Sequence, residues 1–555
     1  MLRSVLFPLA CLLFALFGLA PPSSATAAAA PPPTANPDAI CPKCHQAIYE
    51  SYRTTPMANA SGDAGEGLLP GEFTHRASGV HYRLFLRDGR PWLSYERSNA
   101  PAGLDLKGEQ ELKYFVGSGH RGRTYLFEKR GFWFESPVNW YSKKNVWDMN
   151  PKSIEAREMP FTLKIDSSCL HCHTSGVQPA LPGASNHFAA QPFLYGGIIC
   201  EACHGDSAAH LASAGKIAIL NPVKLSPSRR DSICLQCHLE GETAVNRPGR
   251  SVANFIPGEE LSDYVTHFVH SLEVGANGRA TSQWEALLQS ECKKKSGDQL
   301  SCITCHDPHS SPAPAQRISY YRSKCLSCHG EGAFASKHHP REPDCASCHM
   351  PREKTENVAH EQVTDHRIQR PQVFSERQVR KEVADLIAVG GGEVSERDLG
   401  LAYFQFAQRG DHKAGQEAMK LLKRAERNHS APTDSDLHTA LGILEHLSGD
   451  AEGAMSEYRA ALRADPLSSV PAGDLAILEA RAGDTQDTIA LLERVCENDP
   501  AETTAGIDLA AVECTVGDST AAVKTLRNLL EFSPDDGRAQ EMLRTIESHT
   551  RRCTP

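Results

Sequence analysis

Three things are missing from this 555-residue sequence. There is no surplus of positive charge: 58 Lys and Arg stand against 68 Asp and Glu, a formal net charge of −10. That balance argues against a nucleic-acid partner, which would demand clustered cations along the phosphate backbone. There is no long apolar run beyond Leu19, so nothing later in the chain is apolar enough for a membrane-crossing helix of about 20 residues. And between residues 169 and 349 the motif-bounded segments are too short to bury conventional cores. The whole chain is nevertheless too long for one core, so at least two domains are expected.

The leader is the one apolar run. Arg3 precedes an apolar block from Val5 to Leu19, Pro21-Pro22 closes it, and small residues follow around Ser24-Ala25-Thr26-Ala27. This is the pattern of a secretory signal peptide over residues 1–30, removed on export. A membrane anchor is the weaker reading, because the block is shorter than the ~20 residues needed to span a bilayer. A lipoprotein site at Cys11 is disfavoured by Pro8 and by the apolar residues that continue past it. The mature chain then has no transmembrane segment, begins in a flexible Ala/Pro-rich tract, and is placed in the periplasm or outside the cell.

Cysteine is abundant, yet little of it is free for a disulfide framework. Of 19 cysteines, 14 fall into one motif, CxxCH, repeated seven times: Cys41–His45, Cys169–His173, Cys200–His204, Cys234–His238, Cys302–His306, Cys325–His329 and Cys345–His349. Two thiols separated by two residues add across the two vinyl groups of one haem, and the adjoining histidine ligates the iron. One copy also fits a redox dithiol or half a zinc site; seven, each with histidine in the same place, point to seven covalently attached c-type haems. The cofactor-binding residues are then Cys41, Cys44, Cys169, Cys172, Cys200, Cys203, Cys234, Cys237, Cys302, Cys305, Cys325, Cys328, Cys345 and Cys348. The proximal iron ligands are His45, His173, His204, His238, His306, His329 and His349. Cys292, Cys496, Cys514 and Cys553 remain, and pairing in an oxidising compartment and buried thiols both suit them. Two ionised propionates per haem make the holoprotein more acidic still, which suits basic or neutral redox partners.

The boxes are unevenly spaced. The second begins 128 residues after the first, and the next five follow at 31, 34, 68, 23 and 20. The long gap has its own character. His81–Leu86 and Pro91–Tyr95 flank Arg87-Asp88-Gly89-Arg90, and Thr124–Phe127 and Phe132–Phe134 flank Glu128-Lys129-Arg130-Gly131. Both read as β-hairpins, so a small antiparallel sheet is expected at about residues 70–140, with Trp140, Tyr141 and Trp147 packed on a porphyrin. From Cys169 onward the haems themselves must supply the core, wrapped in short helices and loops, and porphyrins packed that closely let electrons hop between irons.

Each iron needs a sixth ligand or an open site, and 13 histidines besides the seven proximal ones precede residue 367. The expected distal ligands are His75 and His120 near the hairpins, then His210, His309, His360 and His366, with Met57 offered to the first haem. Methionine there would raise that iron's potential; filling a gap beside the haem is the equally good alternative. His171, His187, His267, His270, His338 and His339 are further choices, His171 as a spacer inside a box and His81, in a strand pattern, less suited. No open coordination position is forced, and no catalytic residue is assigned.

The phrases Tyr52-Arg53-Thr54-Thr55-Pro56-Met57, Gly117-Ser118-Gly119-His120, Cys200–Gly205, Cys302–His309, Cys345–Pro351 and Thr364-Asp365-His366-Arg367-Ile368 carry a resemblance. Residues 41–370 resemble the extracytoplasmic multihaem c-type cytochromes that bear a C-terminal tetratricopeptide module, related to the tetrahaem electron carrier of ammonia oxidation. The resemblance implies haem ligation and electron transfer but no agreed substrate. In the tetrahaem carriers a histidine usually stands near the place of Met57.

Beyond residue 370 the boxes stop. Gly449-Asp450, Gly483-Asp484 and Gly517-Asp518 recur every 34 residues, as do Pro432, Pro466, Pro500 and Pro534, the period of the tetratricopeptide repeat. The expected architecture is therefore mainly α: a haem-packed domain over 31–370 with a β-hairpin insert, a linker or helix over 371–393, and an α-solenoid over 394–550. The solenoid either docks a redox partner protein on its concave face or stacks on the haem domain. An electron-transfer protein is the favoured function. An oxidoreductase with one open haem, acting on a small nitrogen, sulfur or oxygen compound, and a haem filament are the alternatives. The seventh box, next to the repeats, is the expected point of electron exchange.

Overall fold

A computed structural model describes residues 36–97, 106–272, 281–330, 338, 344–352, 364–369, 382–428 and 434–548. The leader, His339, His360 and Cys553 lie outside the described residues.

The insert is larger than its hairpins suggested, with strands from Ser61–Asp63 to Val146–Met149. Both expected hairpins form. Strands His81–Arg87 and Arg90–Arg97 are joined by Asp88-Gly89, and Gly122–Lys129 and Phe132–Glu135 by Arg130-Gly131. All four turn residues have positive φ, 52° and 75° in the first and 54° and 85° in the second. Two positive φ values in a two-residue loop match the twist of the flanking strands. A four-stranded and a six-stranded sheet result, sharing a core that includes Tyr82, Leu84, Leu93, Phe127, Phe134 and Trp147. The aromatic trio belongs to this sheet rather than to a porphyrin face: the Trp147 indole N–H donates to the Leu69 carbonyl at 2.9 Å and the Tyr141 hydroxyl to that of Met149 at 2.7 Å.

The linker also departs from expectation. Glu382–Ala388 is a strand, not a helix, and completes a three-stranded sheet with Thr243–Asn246 and Val265–Leu272. Leu386 is buried against this sheet and the first repeats, in one core with Phe268 and Leu401. That burial overrides the local sequence pattern.

The solenoid is four helical hairpins and a last helix, Gly537–Glu547. The 34-residue signature has a local cause. Gly449 and Gly483 end their helices in the left-handed conformation at φ 88° and 89°, where a Cβ would be strained. The aspartate that follows then caps the next helix, Asp450 accepting from the Gly453 N–H and Asp484 from that of Asp487, worth about 0.5–2 kcal/mol each.

Both ends of the solenoid are fastened to the rest of the molecule. At its start Arg247 pairs with Asp398, and the Gln405 amide donates to the Ala244 carbonyl at 2.9 Å. At its end Phe532 joins the core of the insert, edge-on to Phe132 at 5.9 Å. Beside it Asp535 is nearly fully buried, pairs with Arg97, and accepts from the Met159 N–H at 2.7 Å. The repeats therefore stack on the two sheets. The helix Cys345–His349 of the seventh box packs on the helix Arg317–His329 of the sixth.

Candidate haem-binding site

Each box starts or ends a short helix, as in Pro42–Tyr52, Ser167–His171, Pro227–His238 and Cys345–His349. Positions i, i+3 and i+4 share one helical face, so thiols and histidine lie on one side in the boxes that stay helical through their histidine, the third, fourth, sixth and seventh, while His45 and His306 leave helical geometry. Asp166 fixes the start of the second box helix by accepting from the Ser168 and Cys169 N–H groups at 2.8 and 3.0 Å. Asp344 does the same for the seventh, accepting from Ala346 and Ser347 at 3.1 and 3.2 Å.

These faces converge on one cavity of about 4170 Å³, lined by residues from all seven boxes. Ordinary ligand pockets run to about 300–1,000 Å³, so this space suits several porphyrin-sized groups. Thiols of different boxes lie close enough to interact: Cys41 with Cys200, Cys172 with Cys237, Cys234 with Cys302, and Cys325 with Cys345. Cys203 lies near Cys237, and Cys305 near Cys328. The boxes thus run in space as one, three, four, five, six, seven, with the second branching from the fourth.

Imidazoles face one another across the cavity in four places. His45 and His210 have ring centres 6.4 Å apart and planes within 20°. His204 faces His309 at 5.9 Å and 12°, His306 faces His366 at 6.3 Å and 31°, and His338 faces His349 at 5.9 Å and 32°. Two metal–nitrogen bonds of about 2 Å plus half a ring on each side place imidazole centres roughly 6 Å apart. Each pair is therefore spaced to clamp one iron, and the residues fit c-type haem.

Backbone carbonyls orient the rings. Nδ1 of His204, His210, His349 and His366 lies 2.8, 2.7, 2.9 and 2.8 Å from the carbonyls of Leu220, Ile217, Gln369 and Thr364. Donation there fixes the tautomer and leaves Nε2 for a metal. Burial pushes the pKa of His238, His306, His309 and His366 down, favouring the neutral, ligating form.

The sequence-predicted distal residues divide. His210, His309 and His366 face box histidines, each from a box other than the nearest one. Met57 lines the cavity, while the imidazole facing His45 is that of His210. His75 is buried in the insert with both ring nitrogens engaged, by the Ser78 hydroxyl and the Ile154 carbonyl at 2.8 Å each. His120 is exposed and lines a separate pocket of about 370 Å³ with Trp140 and Arg123. Neither reaches the cavity, because the sheet that carries them packs on its own core. His360 lies outside the described residues. His338, only a further choice in the sequence, faces His349; it precedes its box whereas the other partners follow theirs, so spacing gave no signal. His171 is a spacer bonded to the Gln236 amide oxygen at 2.8 Å, His187 stacks on Phe132, and His270 pairs with Glu242.

Among the other cysteines Cys514 is in a disulfide, while Cys292 and Cys496 are free thiols. No helix among the described residues is long and apolar enough to cross a membrane.

Comparison with known proteins agrees with the chemistry of the boxes. The family described as cytochrome c554 and c-prime matches residues 137–205, and that of the doubled CXXCH motif matches residues 295–334. The multiheme cytochrome MtrA of Shewanella baltica is 26% identical over 219 residues, 35% of this chain and 63% of that protein. The C-type polyheme cytochrome OmcB of Geobacter sulfurreducens is 29% identical over 170 residues, 30% of this chain and 20% of that protein. The chain thus spans less than two thirds of either relative. A tetratricopeptide repeat protein from Parabacteroides merdae aligns over 26% of this chain and 58% of its own at 20% identity, with a TM-score of 0.24. A structure of MamA aligns over 26% and 82% at 15% identity, with a TM-score of 0.24.

Proposed function

We propose that this multihaem c-type cytochrome is a periplasmic or extracellular electron conduit that carries seven haems and is docked to a redox partner through its tetratricopeptide repeats. The observation that carries the reading is the single cavity shared by all seven boxes, crossed by four facing imidazole pairs. Haem iron, when bound, changes charge by one electron without changing its covalent attachment. The chain's part is to fix ligands and spacing. The box thiols anchor each group, His210, His309, His338 and His366 supply sixth ligands, and backbone carbonyls hold those rings so that little reorganisation accompanies a change of charge. Cys44 of the first box, Cys169 of the second, and Cys325, Cys328 and Cys348 of the last two are exposed, which favours electron exchange at the two ends of the array and at the branch. The leader supports export, and haem attachment outside the cytoplasm agrees with it. Docking through the repeats is supported by the exposed Leu447, Val470 and Val516 on the solenoid.

The test is haem content per chain with a spectroelectrochemical titration of exported protein. Seven haems titrating reversibly over a range of potentials support the conduit; fewer haems than boxes, or groups that do not exchange electrons, would overturn it.

A further inference from the structure

The wall of the haem cavity is not evenly charged. Along residues 37–215, which carry the first three boxes, its charged lining is Asp38, Lys43 and Glu201. Along residues 291–352, which carry the last three, it is Lys294, Lys295, Arg317, Arg322, Lys324 and Arg352 against Glu291, Asp307 and Asp344. One end of the array is therefore slightly acidic and the other basic, inside a chain that is acidic overall.

At the acidic end Asp38 belongs to two boxes at once. It is 7% exposed, and a carboxylate oxygen and the sulfurs of Cys41 and Cys200 all lie within 4.8 Å of one another. Both its oxygens accept from the Cys200 N–H, at 3.0 and 3.3 Å, and among the described residues no ion pair joins it. At the basic end an Arg322 guanidinium nitrogen lies 3.8 Å from the Cys345 sulfur, and the helix that carries Arg322 packs on the seventh box. The facing imidazoles offer the first, third, fifth and seventh irons the same pair of ligands, so ligand identity does not rank them and local charge does. Oxidised haem iron carries one more positive charge than reduced. A carboxylate beside it favours the oxidised state and lowers its potential; a cation, whether it faces the iron or a propionate, raises it.

We propose that Asp38 is a positioning residue for potential: its buried carboxylate makes the first and third haems the low-potential end of the array, while Arg322 and its neighbouring cations make the seventh box the high-potential end. Electrons then run downhill from Cys41–His45 toward Cys345–His349, which gives the conduit a direction. This rests on the conduit reading, since it requires haem at these boxes.

The experiment is a spectroelectrochemical titration of the full-length, haem-loaded protein, wild type beside Asp38→Asn and Arg322→Gln. Asparagine keeps an oxygen for the Cys200 N–H and removes only the charge. In Asp38→Asn the two lowest-potential components should rise, each by on the order of tenfold in its reduction equilibrium, or about 59 mV for one electron. Arg322→Gln should instead lower one of the highest components. His210→Met marks the first haem independently, because a thioether in place of the imidazole that faces His45 raises that haem's potential. The component it raises, or removes, should be one of the two lowest in wild type. Low components unchanged in Asp38→Asn, high ones unchanged in Arg322→Gln, or a uniform shift of all components would overturn the proposal. So would a first haem at the high end of the range, an outcome that stays decisive even where Asp38→Asn fails to mature. Fewer than seven haems, or haems that do not exchange electrons, remove the conduit reading itself, and wild-type protein alone shows that before any variant is compared.

Discussion

The β-rich insert and the segment that carries the last three boxes fill their interiors in opposite ways. The insert buries Tyr82, Leu84, Leu93, Tyr125, Phe134 and Val138 almost completely, at about 1.5–3 kcal/mol for each large apolar side chain. Among the described residues from 281 to 352, the only buried apolar side chains are Ala286 and Leu287. That segment has backbone caps, helices and a cavity, but almost no core of its own. The difference teaches that in one region the cofactor is a ligand of the architecture and in the other it is not needed at all.

The largest expected effect tests that contrast directly. With the box cysteines replaced by alanine, the backbone amides of residues 281–352 should exchange with deuterium at close to unfolded rates, since nothing else offsets the conformational entropy of ordering them. The insert and the solenoid should keep their protection. Equal protection throughout would break the comparison.

Next comes the fastening between solenoid and insert. The Arg97 and Asp535 side chains are 18% and 3% exposed. Removing one partner of so buried a pair costs about 3–5 kcal/mol, so Arg97→Ala should lower the thermal transition of insert and solenoid together. Phe532→Ala should cost a similar amount, about 3–5 kcal/mol, by opening a void in the shared core. In both variants the haem absorbance should hold until that transition.

A sharper, smaller contrast compares two histidines. His366→Met should raise the potential of one haem, because a thioether replaces the imidazole that faces His306. His75→Ala should leave all haem spectra unchanged and instead cost about 1–3 kcal/mol, the penalty for leaving the partners of a buried polar group unsatisfied. Redox titration and thermal melts separate the two. A spectral change in His75→Ala would return that residue to the ligand set.

These outcomes trace what the sequence makes legible. Cysteine and histidine at fixed spacing announce attachment because the chemistry is local, within five residues. Asp88-Gly89, Arg130-Gly131 and the Gly-Asp helix turns are legible for the same reason, each being a demand on φ or on a capping oxygen. Ligand pairing is not local. His210 crosses to His45 and His309 to His204, so no spacing rule could find them, and His338 lies on the other side of its box. His75 stands beside a strand like a ligand awaiting its metal, and only the fold shows its ring enclosed by Ser78 and Ile154. The strand Glu382–Ala388 owes its form to Phe268 and the first repeats, far away in sequence.

The smallest effect lies in the solenoid and depends on pH. His438 is buried between helices, its Nδ1 2.7 Å from a Glu457 carboxylate oxygen. The hydrogen bond to Glu457 raises the imidazole pKa, Glu426 and Asp434 add to this, and burial opposes it. A raised folded-state value means that the protonated ring stabilises the fold. The contribution is fully present below the ordinary histidine value of about 6.5 and is lost as pH rises through the raised one. Wild type should therefore exceed Glu457→Gln in stability at pH 5.5 by on the order of 1 kcal/mol or less, with the gap closing by pH 8.5. Paired thermal melts at the two pH values measure it. Because His438 and Glu457 belong to the region whose core is made of side chains, the haem spectra should not follow this transition. A gap that widened with pH would mean that the pair is held by the neutral ring, reversing the sign of the coupling.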